Sequence, residues 1–159
     1  MKSDELSRLL LSATEAAFHK LMVITEEESG KKSSPEKWSH KEILGHLIDS
    51  ASNNHQRFVR AQFKSDLVFS GYQQDDWVKI QRYEDAPWLS LLNLWYEFNM
   101  HLGRIIAAIP GDIILLQRPS HNLDEIAWQP VAKAEPVTLA YFINDYIGHM
   151  QHHLKQIIC

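Results

Sequence analysis

Apolar residues recur at intervals of three and four in four long stretches of the chain, and each stretch predicts one amphipathic helix. The first runs from residue 3 to about residue 28 through Leu6, Leu9, Leu10, Ala13, Ala17, Leu21 and Ile24. Ser3 is placed as its N-cap, Asp4 and Glu5 favour the first turn, and Gly30 followed by Lys31 and Lys32 reads as a stop. The second stretch has the clearest start. Ser39 and Glu42 form an S-x-x-E capping box, and Trp38 and Ile43 occupy the two positions of a hydrophobic staple. It continues through Leu44, Leu47, Ile48, Ala51, Phe58 and Val59 to about Phe63. Pro87 suits the first position of the third helix, which carries Trp88, Leu91, Leu92, Trp95, Leu102, Ile105, Ile106 and Ile109 up to Pro110 and Gly111. Thr138 is the expected N-cap of the fourth, with Leu139, Phe142, Ile143, Tyr146, Ile147, Met150, Leu154 and Ile157 as its stripe.

The segments between these helices lack a sustained period. Residues 64–86 predict a long connection with one short helical turn, and segments 113–117 and 125–131 predict a small hairpin around a turn-like 119–122. Amphipathic helices of this length bury their stripes against one another, so the expected fold is all-α: a four-helix bundle in a single domain, residues 1–159. The two later connections are too long for tight antiparallel turns, which predicts at least one long crossover.

Composition changes this picture little. Hydrophobic residues make up 45% and charged residues 23% of the chain, typical of a globular protein. The formal net charge is -4 with no block of like charges, which argues against an electrostatic nucleic-acid binder. The N-terminal apolar run is too short and too interrupted by charge for a signal peptide or membrane span, and the one cysteine, Cys159, leaves no internal disulfide to form. The chain therefore reads as soluble, unprocessed and cytoplasmic, with no membrane partner; Cys159 reads as inert.

Nine histidines do change it, three of them in the run His149-Met150-Gln151-His152-His153. At about 100° per residue, His149 and His153 share one flank of the fourth helix and can chelate one ion, whereas His152 points more than about 90° away. The pair sits at the rim of the apolar stripe. A third ligand is needed, and His46 is the best candidate, early in the second helix on a line with Ser50, Asn53 and Arg57 that can equally be exposed surface. His19, His40, His55, His101 and His121 each lack a partner three or four residues away. Asp145, one turn before His149, reads as a carboxylate ligand or as an acceptor behind one. Three neutral imidazoles with open positions suit Zn, Ni or a similar divalent ion and support either water or thiol activation.

The segments Gly45-His46-Leu47-Ile48-Asp49-Ser50, with Arg57-Phe58 beyond, and Gly148-His149-Met150-Gln151-His152-His153-Leu154 resemble the two metal-ligand segments of the DinB-like superfamily, most closely its YfiT-type branch. The intervening Gly71-Tyr72-Gln73-Gln74-Asp75-Asp76-Trp77 resembles that branch's loop. The resemblance covers nearly the whole chain. It implies a bundle with a long crossover and one divalent metal, nickel or zinc, held by His46, His149 and His153. It also implies a homodimer and a small-molecule substrate. Similar members are described as metal-dependent hydrolases, and others transfer low-molecular-weight thiols such as bacillithiol, mycothiol or glutathione; a bundle whose metal is only structural is the third alternative. Relatives often continue beyond the point where this chain stops.

Other residues join as candidates around the site. Asn53, Asn54 and Arg57 can orient a substrate or an anionic thiol, Arg57 through its planar fork. Tyr72 and Trp77 can line the pocket mouth or pin the loop to the core. Asp49, three residues after His46, can position that histidine or a metal-bound water. Trp88 and Trp95, seven apart, belong to the core.

Overall fold

The computed structural model describes residues 1–158; Cys159, whose thiol the sequence reads as inert, lies outside them. The elements are α1 (Ser3–Leu21), α2 (Glu26–Gly30), α3 (His40–Arg60), continued by a 3₁₀ turn (Ala61–Phe63), α4 (Gln74–Ile80), a second 3₁₀ turn (Tyr83–Asp85), α5 (Trp88–Ala108), α6 (Gly111–Ile114), α7 (Leu123–Ile126) and α8 (Leu139–Ile158). The four long helices α1, α3, α5 and α8 are the four predicted stripes. Their buried faces meet in one core that includes Leu6, Leu10, Leu44, Leu47, Trp95, Leu102, Ile143 and Met150.

Two of the predicted starts take the predicted form. Ser39 accepts from Glu42 N while Glu42 accepts from Ser39 N at 2.8 Å, which closes the capping box of α3. The Thr138 hydroxyl accepts from Tyr141 N at 3.1 Å at the start of α8. The first helix differs. Ser3 is its first helical residue, preceded by Lys2 as cap, and its hydroxyl donates to Ile109 O at 2.7 Å, tying α1 to the end of α5. The helix also stops at Leu21 rather than near residue 28, because Thr25 and Glu28 form a second capping box that starts α2.

The long connections differ too. Within residues 64–86 the chain forms the seven-residue α4 and a 3₁₀ turn, more helix than one short turn. The predicted hairpin over 113–117 and 125–131 is absent: α6 and α7 occupy this region, and among the described residues pairing is limited to isolated bridges, Leu67 with His121 and Arg118 with Val137. The Arg118 guanidinium explains why. Buried, it donates to Ile113 O, Leu116 O and Ala61 O, which winds the segment around the end of α3.

Around the bundle, α1 packs on α5 and α8, and α3 packs on α5 and α8, so α1 and α3 face each other diagonally. Side-chain pairings give the directions. Ser3 meets Ile109, Ser7 meets Gly103 and Tyr96 meets Glu15, so α1 and α5 are antiparallel. His46 meets His149 and Phe58 meets Phe142, so α3 and α8 are antiparallel as well. Lys41 reaches Glu84 O just before α5, and His55 meets Phe98 and His101, so α3 and α5 are parallel. A parallel pair needs a return path over the full helix, about 30 Å for 21 residues, which is why the connection at 61–87 is long. Both long connections come to lie against α3 and α8.

Candidate metal centre

The site grows from two helices that each place a glycine just before a histidine. Gly45 precedes His46 on α3, and a Cβ there would lie 2.2 Å from Tyr83 Cδ2. Gly148 precedes His149 on α8, and a Cβ there would lie 2.9 Å from Trp128 Cζ3. Both glycines thus let a ring from a long connection rest directly on the helix beside the histidine. This close approach is legible in the paired Gly-His dipeptides only once the partners of the glycines are known.

Between the helices, His46, His149 and His153 each offer a ring nitrogen, and these nitrogens all lie within 4.8 Å of one another. His46 Nε2 and His149 Nε2 are 3.2 Å apart, and the three ring centroids are separated by 4.6 to 5.1 Å. His46 is buried and the other two are half-buried. Burial, with neighbouring histidines adding to it, pushes His46 down to about 4 and His149 down to about 3, and lowers His153 in the same direction. All three are therefore neutral at pH 7, the state in which imidazole ligates metals. The donor set fits a divalent ion. A 3.2 Å nitrogen separation is close to the edge of a tetrahedron with bonds of about 2.0–2.1 Å, and among the described residues no carboxylate hydrogen-bonds to any of the three rings.

The surroundings hold this group in place. The Trp38 ring lies 5.1 Å from His46, and Ser50 Oγ is 3.4 Å from His149 Nδ1. Asp145, one turn before His149 on α8, accepts from Trp128 N at 2.9 Å and Gln129 N at 2.7 Å. It anchors the segment that carries Trp128, whose ring lies 6.5 Å from His149; burial raises its carboxyl. Asp49 is turned elsewhere. Its Oδ1 accepts from Tyr83 Oη at 2.6 Å and Gln81 Nε2 at 2.8 Å, while its buried Oδ2 and His46 Nδ1 each lack a partner. Burial raises the Asp49 carboxyl as well.

A cleft of about 360 Å³ opens beside the histidines, lined on α3 by His46, Ser50, Asn54 and Arg57. Thus the polar line on α3 is a buried strip rather than exposed surface, because the two long connections cover it. Its third member is Asn54, whereas Asn53 is half-buried, bonds Asp49 O at 2.9 Å and faces a different depression. Tyr72 lines the cleft and burial pushes its phenol up to about 12. Trp77 does not line it; it packs 4.8 Å from Tyr72 and is 37% exposed. His152 is exposed and bonded to Gln156, while His121 bonds Glu135 O and Leu123 N at the far end of the bundle. Trp128 carried no sequence signal, since its approach to α8 depends on a cap by Asp145 seventeen residues away.

No curated protein matches the chain. Among solved structures, YfiT from Bacillus subtilis, described as a probable metal-dependent hydrolase with an unusual four-helix bundle topology, is similar over 98% of this chain and 83% of its own, with a TM-score of 0.77 and 17% identity. That likeness is one of fold. No helix among the described residues is long and apolar enough to cross a membrane. The family model for the DinB superfamily matches residues 10–157, and the chain belongs to that superfamily.

Proposed function

We propose that this protein is a metal-dependent hydrolase of small molecules in which His46, His149 and His153 hold one divalent ion, zinc or nickel. The observation that carries the reading is the convergence of three imidazoles from two helices, two of which, His46 and His149, line an open cleft. Bound there, such an ion supplies Lewis acidity and a nucleophile at neutral pH. The chain's own residues do the rest. Trp38 and Trp128 flank the histidines and limit water, and Ser50 steadies the His149 ring through its Nδ1. Arg57 and Tyr72 face the same cleft and orient the substrate, while Asp145 keeps its Trp128 wall closed. The protein is proposed to act in the cytoplasm as a homodimer, which sedimentation of the purified chain checks.

Elemental analysis of untagged protein tests the metal. About one equivalent of zinc or nickel is expected in wild type and none in His46→Ala. Ester and amide hydrolysis by the loaded protein then tests the reaction, with parallel assays of thiol plus electrophile. Turnover only with an added low-molecular-weight thiol would replace hydrolysis by thiol transfer. A melting temperature raised by metal without any turnover would make the ion structural, and absence of metal in wild type after incubation with zinc and nickel would overturn the reading.

A further inference from the structure

The end of the cleft away from the histidines contains a charge with no counter-charge. Arg57 is 6% exposed, yet among the described residues no carboxylate pairs with it, and the one hydrogen bond of its guanidinium goes from Nη2 to Ser70 O at 2.9 Å. Its guanidinium carbon lies 6.0 Å from the Tyr72 ring and 5.9 Å from the Phe142 ring, which hold the plane without using its donors. Arg118, the other buried arginine, is the useful contrast: its two terminal nitrogens, Nη1 and Nη2, donate to three backbone carbonyls and so serve the fold. Burial lowers the Arg57 pKa, but a guanidinium stays charged at neutral pH. A buried charge without a partner is costly, and a ligand that supplies the partner recovers that cost.

The acidic groups sharing the cleft do not satisfy it. Asp145 gives both oxygens to backbone N–H groups, and Glu125 is exposed at the mouth, where water screens it. Distance then sets the shape of the ligand. The Phe142 ring marks the level of the guanidinium, and His149 lies seven residues further along α8, so the two ends of the cleft are roughly 10 Å apart. That is about the length of three extended peptide residues.

We infer that Arg57 is the anion anchor of this site, selecting elongated small molecules that carry a carboxylate roughly 10 Å from the group presented to the histidines. The inference rests on the metal-site reading above and adds the substrate class. A planar fork with free N–H donors matches a carboxylate in two parallel hydrogen bonds.

Suberic acid monohydroxamate and its methyl ester are suitable probes, since the hydroxamate engages a metal and the two differ only in the charge at the far end. Titration calorimetry on zinc-loaded protein is expected to show the acid binding roughly ten- to a hundred-fold more tightly than the ester. In Arg57→Gln the acid loses that advantage, and Arg57→Lys keeps part of it. The wild-type ratio stands even if a variant folds poorly. If zinc is bound but acid and ester bind alike, or neither binds, the metal reading survives and the anchor is overturned. An advantage undiminished in a folded Arg57→Gln protein also overturns it. If wild type binds no zinc or nickel, the metal reading has failed and the anchor falls with it.

Discussion

Acidification of the metal-free protein probes the buried histidines directly. In the native state His46 is pushed down to about 4 and His149 to about 3, while the same side chains in the unfolded chain titrate near about 6.5. Between these values the unfolded chain binds protons that the folded chain refuses, so stability rises with pH and is lost as pH falls below about 6.5. From pH 8 to pH 5 each such histidine costs about 2 kcal/mol, since 1.5 units at about 1.4 kcal/mol per unit separate the unfolded pKa from pH 5. His46 is 2% exposed and should show nearly all of this; the half-buried His149 should show less. Asp49 and Asp145, raised by burial, act with the opposite sign, so the comparison must be between proteins rather than between pH values alone. Urea unfolding followed by circular dichroism, with a chelator present, supplies it. With a slope of about 2 kcal/mol/M, the drop in midpoint from pH 8 to pH 5 should be about 1 M smaller in His46→Gln than in wild type. Equal drops in the two proteins would refute the assignment of the acid sensitivity to His46, and with it the claim that this imidazole is held neutral.

Other perturbations test the scaffold. Gly45→Ala should destabilise by about 1–3 kcal/mol despite alanine's better helix propensity, because the new methyl would overlap the Tyr83 ring, and thermal melting reads the loss. Gly148→Ala should cost less, since its closest approach, 2.9 Å to the edge of the 40% exposed Trp128, is looser than the 2.2 Å at Gly45, and the same melt ranks the two. Asp145→Ala should strand the N–H groups of Trp128 and Gln129 at about 1–3 kcal/mol and speed hydrogen exchange over residues 127–131. His152→Ala should leave metal stoichiometry unchanged by elemental analysis, whereas His149→Ala should abolish it, because only the latter ring faces His46.

Much of this architecture is written in local pattern. The four stripes, the Ser39 to Glu42 capping box and the Thr138 cap are short-range devices, so the long helices could be placed from spacing alone, and four such helices have little choice but to bundle. The pairing of His149 with His153 follows from one helix wheel. What the sequence leaves open is everything decided by contacts between distant residues. The Thr25 and Glu28 restart breaks a stripe that periodicity would have continued, and the buried Arg118 winds a segment that alternation reads as a hairpin. That α3 and α5 run parallel, that the long connections therefore fold back over α3, and that its polar strip becomes buried are tertiary outcomes. The same burial favours a neutral imidazole at His46 and leaves Arg57 without a carboxylate partner among the described residues, because desolvation and pairing are properties of the assembled core and not of any residue's place in the chain.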